Sequence, residues 1–135
     1  MEIESSTYLL DTQIFLWLIS ADRRLPVASF KERFDSENSE FIFHQASTWE
    51  IQIKYELKKL PLPEKPELLV PKAIKKSNLT YKTIEDKGIF FLQKLPAIHR
   101  DPFDRLLLSH AMVNGWTIIT ADKTLTEYPA KVELI

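Results

Sequence analysis

Residues 8–20 read YLLDTQIFLWLIS, and the change of character at Asp11 decides the fold. Thr7-Tyr8-Leu9-Leu10 is a short apolar run suited to a buried strand. Asp11 and Thr12 are residue types that start helices, and Gln13–Ser20 continues as one. The same order recurs toward the other end of the chain. Trp116–Thr120 is a β-rich strand, and Asp122 opens a short helix that runs to Tyr128. Between these two units the pattern keeps alternating. A helix is expected over Pro26–Glu37, a strand over Glu40–Phe43 and a long helix over Ala46–Leu60. The segment Pro61–Pro66 is too proline-rich to continue that helix. A further helix falls within Glu67–Ser77, with Pro71 setting its start. Then come a strand at Leu79–Thr83 and a helix at Glu85–Leu95. The stretch HRDPFDRLLLSHA (residues 99–111) opens a helix that stops at Asn114-Gly115. Val132–Ile135 is the last strand. Strands that alternate with helices predict an α/β fold, a parallel sheet covered by helices on both faces.

The composition narrows the function classes. The 135 residues suit one domain spanning 1–135, with 44% hydrophobic and 27% charged residues. The net charge of −1 gives no strongly basic nucleic-acid coat, although a local basic patch is compatible with it. Without cysteine there is neither a disulfide framework nor a thiolate metal site. Two glycines, Gly88 and Gly115, exclude a glycine-rich phosphate loop. No apolar run approaches a membrane span, and the acidic start Met1–Ser6 does not resemble a leader. These features predict a cytoplasmic protein.

In a parallel α/β sheet, ligands bind beyond the carboxyl ends of the strands. Carboxylates recur there. Asp11 follows the first strand, and Asp122 follows the Trp116–Thr120 strand after one residue. Glu50 lies early in the helix after the Phe41 strand, and Asp101 and Asp104 open the 102–114 helix. Each has a plainer reading. Asp101, directly before Pro102, is first of all an N-cap. Asp11 and Asp122 suit caps or turns, with Thr12 and Thr120 beside them to cap or to hold a carboxylate or water. Asp104 is an acid in a first helical turn, yet it shares an arc with Leu107, Leu108 and Ala111. On a helical wheel Ala46, Trp49, Ile53, Leu57 and Leu60 form the apolar arc of the long helix, and Glu50 falls on its margin. A solvated edge position or a lysine salt bridge accounts for Glu50 as well as chemistry does. His44, His99 and His110 lack metal-ligand spacing. If Asp11, Glu50, Asp104 and Asp122 converge, their mutual repulsion calls for a cation. An oxygen-only donor set selects Mg²⁺ or Mn²⁺, ions that activate water for displacement at phosphorus.

The segments YLLDTQIFLWLIS, ASTWEIQIKYELKKL, HRDPFDRLLLSHAMVNG and WTIITADKTLTEYP resemble the PIN-domain ribonucleases, specifically toxins of the VapC type. The resemblance runs through nearly the whole chain in order. It implies a three-layer α/β/α fold, an acidic Mg²⁺ or Mn²⁺ site, endoribonuclease activity, a neutralising antitoxin and a toxin homodimer. Carried over by position, it makes Asp11 and Asp104 the main metal ligands, completed by Glu50 and Asp122. Thr120 and Asp101 support them, with Thr12 beside Asp11. Arg100, Arg105 and Lys123 are candidates for holding the RNA backbone, and Arg105 equally suits a pairing with Asp101, Asp104 or the antitoxin. Phe43-His44-Gln45 departs from the small residues usual in related sequences, and His44 is expected as a bulky surface residue. Two rivals stay open: a PIN-like nuclease or phosphoesterase with another substrate, and a binding module without activity.

Overall fold

The computed structural model describes residues 6–34 and 38–135. In chain order the elements are β1 (Ser6–Leu10), α1 (Thr12–Ser20), α2 (Val27–Phe34), β2 (Ser39–His44), α3 (Gln45–Glu56) and α4 (Pro66–Lys76). Then come β3 (Thr80–Lys82), α5 (Asp86–Phe91), α6 (Pro102–Asn114), β4 (Thr117–Thr120) and β5 (Val132–Leu134). Short 3-10 turns cover Leu92–Lys94 and Lys123–Glu127. The end of the expected second helix, residues 35–37, lies outside the described residues. So does Met1–Ser5, nearly all of the acidic start.

The five strands are all parallel and ordered β3-β2-β1-β4-β5. Alternation along each strand separates two apolar faces. Leu9, Ile42 and Ile118 pack with Leu107, Leu108 and Ala111 of α6. Leu10 and Ile119 pack with Ile14, Phe30 and Phe34 on the other face, where Phe43 joins Phe15, Ile51 and Val70. The sheet is therefore sandwiched between helices, the three-layer α/β/α arrangement. No helix among the described residues is long and apolar enough to cross a membrane.

Three local expectations are corrected. Helix α4 begins at Pro66, five residues before Pro71, which sits inside it. Pro66 takes the first helical position, and burial of Pro66, Val70 and Ala73 outweighs the one backbone hydrogen bond that Pro71 removes. Helix α3 ends at Glu56, four residues early, because Lys58 adopts a left-handed conformation at φ 57°. Its buried face is Ala46, Ser47, Glu50 and Ile51, whereas Trp49 and Leu57 are 52% and 58% exposed. Of the apolar arc drawn from the sequence, Ala46 is buried and Ile53 and Leu60 are partly buried, but Trp49 and Leu57 are not, and Glu50 lies within the buried stripe rather than on its margin.

His44 is fully buried, not a surface residue. Its Nδ1 accepts from the Ala46 N–H at 3.0 Å, capping α3, and its ring lies 4.4 Å from that of His110. His110 is equally buried. Its Nε2 accepts from the Glu85 N–H at 2.9 Å, and its Nδ1 donates to the Leu106 carbonyl at 2.8 Å. Gly88 makes room for this ring, since a Cβ there would stand 2.4 Å from His110 Cε1 and Nε2. Helix propensity alone favours alanine over a helical glycine by up to about 1 kcal/mol. Because the ring is pinned at both nitrogens, Gly88→Ala is expected to do the opposite and destabilise the protein by about 2 kcal/mol. Urea unfolding midpoints check this, and an unchanged or raised midpoint would contradict it.

Candidate active site

The strand order turns at β1. Successive strands run outward from it to β2 and β3 on one side, and β4 and β5 lie on the other. The crevice beyond the carboxyl ends of β1 and β4 is the switch point where ligands bind in such sheets. Asp11 leaves β1 there and caps α1, its Oδ1 accepting from the Ile14 N–H at 2.8 Å. Its other oxygen accepts from the hydroxyl of Thr120, the last residue of β4. Thr120 Oγ1 in turn accepts from the Asp122 N–H at 3.0 Å, so one threonine links the acids that follow two neighbouring strands. Thr12 Oγ1 donates to Ser47 Oγ at 2.8 Å, tying α1 to α3.

Asp11, Glu50, Asp101, Asp104 and Asp122 all line one cleft of about 440 Å³, together with Thr12, Lys54 and Lys59. The four acids of the expected set come from four parts of the chain. The folded chain brings all four to this cleft, a convergence that sequence spacing leaves open. Asp101 does what its position before Pro102 foretold: its Oδ1 accepts from the N–H groups of Phe103 and Asp104 at 2.8 and 3.0 Å.

Crowding shifts the carboxyls. Burial, with the charges of Glu50 and Asp122 adding to it, pushes Asp11 up to about 6 despite its hydrogen bonds from Thr120 and Ile14. Burial, followed by the charges of Asp101, Glu50 and Asp11, pushes Asp104 up to about 7. Asp122 moves the other way. Burial raises it, but hydrogen bonds from Thr124 and His99 outweigh that and hold it below the usual carboxylate range. Glu50 Oε2 pairs with Lys54, one helical turn on, while Glu50 Oε1 is buried without a hydrogen-bond partner. An orphaned carboxylate oxygen in a cleft of acids fits a bound cation, and the all-carboxylate donor set fits a hard one.

The sequence reading missed His99. Its Nε2 lies 3.0 Å from Asp122 Oδ2 and 3.2 Å from Asp104 Oδ2, so it bridges two of the four acids. The signal was present only as proximity, since His99 stands two residues before Asp101. The basic residues are spread unevenly. Arg100 and Lys123 are exposed. Arg105 donates to the carbonyls of Pro96 and Leu92 at 2.9 and 3.2 Å, so its guanidinium fastens the segment before α6.

Fold and cleft together define an α/β/α protein whose acidic pocket sits at the switch point of a parallel sheet. The PIN domain family model matches residues 8–131, and the chain belongs to that family. PIN domains are nucleases, which supports a hydrolase of phosphodiester bonds. Similar solved structures include VapBC2 from Rickettsia felis bound to a DNA fragment from their promoter. It is 19% identical with a TM-score of 0.72, covering 95% of this chain and 98% of that one. DNA-bound VapBC from Salmonella typhimurium is 16% identical with a TM-score of 0.68, covering 95% and 97%. VapBC-1 from nontypeable Haemophilus influenzae is 14% identical with a TM-score of 0.63, covering 95% and 97%. At these identities the likeness is one of fold. No curated protein matches the sequence.

Proposed function

We propose that this single-domain chain is a VapC-type toxin, a Mg²⁺- or Mn²⁺-dependent endoribonuclease that a cognate antitoxin neutralises. It works in the cytoplasm and as a homodimer. The observation that carries the reading is the convergence of Asp11, Glu50, Asp104 and Asp122 on one cleft, with a buried Glu50 oxygen left unpartnered. The antitoxin rests on fold likeness to chains solved in VapBC complexes and on the motif resemblance.

In this reading Asp11 and Asp104 are the main holders of the cation. Glu50 and Asp122 complete the site directly or through water. When bound, the cation supplies Lewis acidity, which lowers the pKa of water and offsets charge gathering on the phosphoryl oxygens. The chain's own residues do the rest. Thr120 fixes the rotamer of Asp11, and the cap made by Asp101 holds the first turn of α6 so that Asp104 faces the cleft. Lys54 balances one oxygen of Glu50. Arg100 and Lys123 meet the RNA backbone from the exposed side, while Arg105 keeps the segment behind them in place. Attack by water at phosphorus, with the P–O3′ bond breaking and the O3′ oxygen leaving as a hydroxyl once it takes up a proton, needs no 2′-hydroxyl nucleophile and leaves 5′-phosphate and 3′-hydroxyl ends.

Matched RNA and DNA oligonucleotides test the substrate. RNA is expected to be cut only with Mg²⁺ or Mn²⁺ present, with 5′-phosphate ends, and EDTA is expected to stop the reaction. Equal cutting of DNA would favour the broader nuclease reading, and no cutting of either a binding module. A small neighbouring reading frame with a DNA-binding N-terminus is the expected genomic context.

A further inference from the structure

We propose that His99 is a positioning residue that staples two arms of the acidic site together and does not itself ligate the cation. This rests on the metal-dependent reading above.

The geometry of the ring decides between these roles. The Asp101 N–H donates to His99 Nδ1 at 3.1 Å. A nitrogen that accepts a hydrogen bond carries no proton, so the proton of the neutral ring is on Nε2. Nε2–H is therefore a donor: it hydrogen-bonds Asp122 Oδ2 at 3.0 Å, with Asp104 Oδ2 beside it at 3.2 Å. A ligating Nε2 needs the opposite tautomer. That would put a proton on Nδ1, facing the Asp101 N–H, and two donors would meet. The same backbone N–H that would have to be given up belongs to the residue capping α6.

The staple also has an anchored base. The His99 N–H donates to the phenol oxygen of Tyr128 at 2.6 Å, and Tyr128 is buried at the end of the turn that begins with Asp122. Backbone and side chain of one residue thus grip the β4–β5 connection, while its ring nitrogen and Asp101 grip the start of α6. Asp104 and Asp122 sit on elements with no other direct hydrogen bond between them among those seen. Their mutual spacing depends on His99. Groups that orient metal ligands in this way change affinity about 10- to 100-fold when removed.

The test uses the full chain and Mn²⁺ as probe, followed by electron paramagnetic resonance. In the wild type, pulsed spectra are expected to lack the ¹⁴N coupling of a directly bound imidazole. His99→Ala is expected to weaken Mn²⁺ binding about 10-fold and to lower kcat more than it raises KM. His99→Gln places an amide N–H near the Nε2 position and is expected to recover most of both. His99→Asn replaces only the acceptor for Asp101 and is expected to behave like alanine. A directly bound ¹⁴N in the wild type would overturn the proposal in favour of a ligand, with no variant needed. Wild-type Mn²⁺ affinity in His99→Ala, with Asp104→Asn deficient, would overturn the staple alone. Undiminished binding in Asp104→Asn would overturn the metal reading beneath it, and the staple with it.

Discussion

Asp104→Asn is expected to lower Mg²⁺-dependent RNA cleavage by about 10³-fold, roughly 4 kcal/mol of transition-state stabilisation, and to leave the protein folded. The two halves of this expectation have separate causes. Loss of activity would follow from removing one of the two carboxylates proposed as main holders of the cation, in a cleft lined by five acids. Asparagine keeps the shape and one carbonyl oxygen but not the charge, and hard divalent cations depend on that charge. Retention of the fold follows from where Asp104 stands. The cap of α6 belongs to Asp101, and Asp104 contributes to that cap only its backbone N–H, which any residue supplies. Its carboxyl is already pushed up to about 7 by burial and neighbouring acids, so without a cation its charge is a burden at neutral pH. A neutral side chain relieves that burden, and thermal stability without divalent ions is expected to hold or rise. Asp101→Asn is the matched control. Asparagine caps helices as well as aspartate does, and less than about 10-fold of activity should be lost. Initial rates on labelled RNA, with melting curves on the same samples, check both variants. Cleavage by Asp104→Asn at the wild-type rate would remove the site assignment.

The sequence made some of this visible and concealed the rest for identifiable reasons. Asp11 and Asp122 were legible because each follows an apolar β-rich run, and strand ends in a parallel sheet gather at one edge. Asp104 was legible because Leu107, Leu108 and Ala111 share its side of the helix, and all three are buried. Glu50 was half legible. Its position after a strand was right, but the apolar residues of α3 misled. Trp49 and Leu57 face outward, while Ser47 goes inward because Thr12, from another helix, hydrogen-bonds it. No pattern within α3 contains that partner. His99 was illegible in the same way, since what gives it a role is Tyr128 and Asp122, more than twenty residues away in a different connection. Pro71 shows a local rule overridden by packing. Arg105 was expected at the RNA backbone or beside an acid, and its two carbonyl partners exist only once the segment before α6 has folded back.

The second large effect concerns stability rather than cleavage. Acidification from pH 6.5 toward 4 is expected to withdraw about 3 kcal/mol of stability through His44 alone. Its pKa is pulled down to about 4, first by burial and then by the neighbouring His110, against smaller opposing effects of Glu85 and the Thr83 backbone. The sign follows from which state binds protons. Between pH 6.5 and 4 the unfolded chain protonates this histidine and the folded chain does not, so stability falls as pH falls. Below about 4 both states are protonated and the loss is complete. Geometry gives the same direction. Nδ1 must stay unprotonated to accept from Ala46 N–H, so charging the ring breaks the cap of α3 in a site without water access. Asp11 and Asp104 work the other way over much of the same range. Their raised pKa values make the folded chain the better proton binder there, so a wild-type curve alone mixes the two trends. The difference between proteins isolates His44. Asparagine is a good N-cap and carries no titrating group, so His44→Asn keeps the acceptor for Ala46 and removes the acid-sensitive proton site. Urea unfolding of both proteins at pH 7.5 and pH 4.5 measures it. The wild type should lose stability relative to the variant by about 2 kcal/mol between those pH values, and parallel curves would show that His44 does not carry the effect.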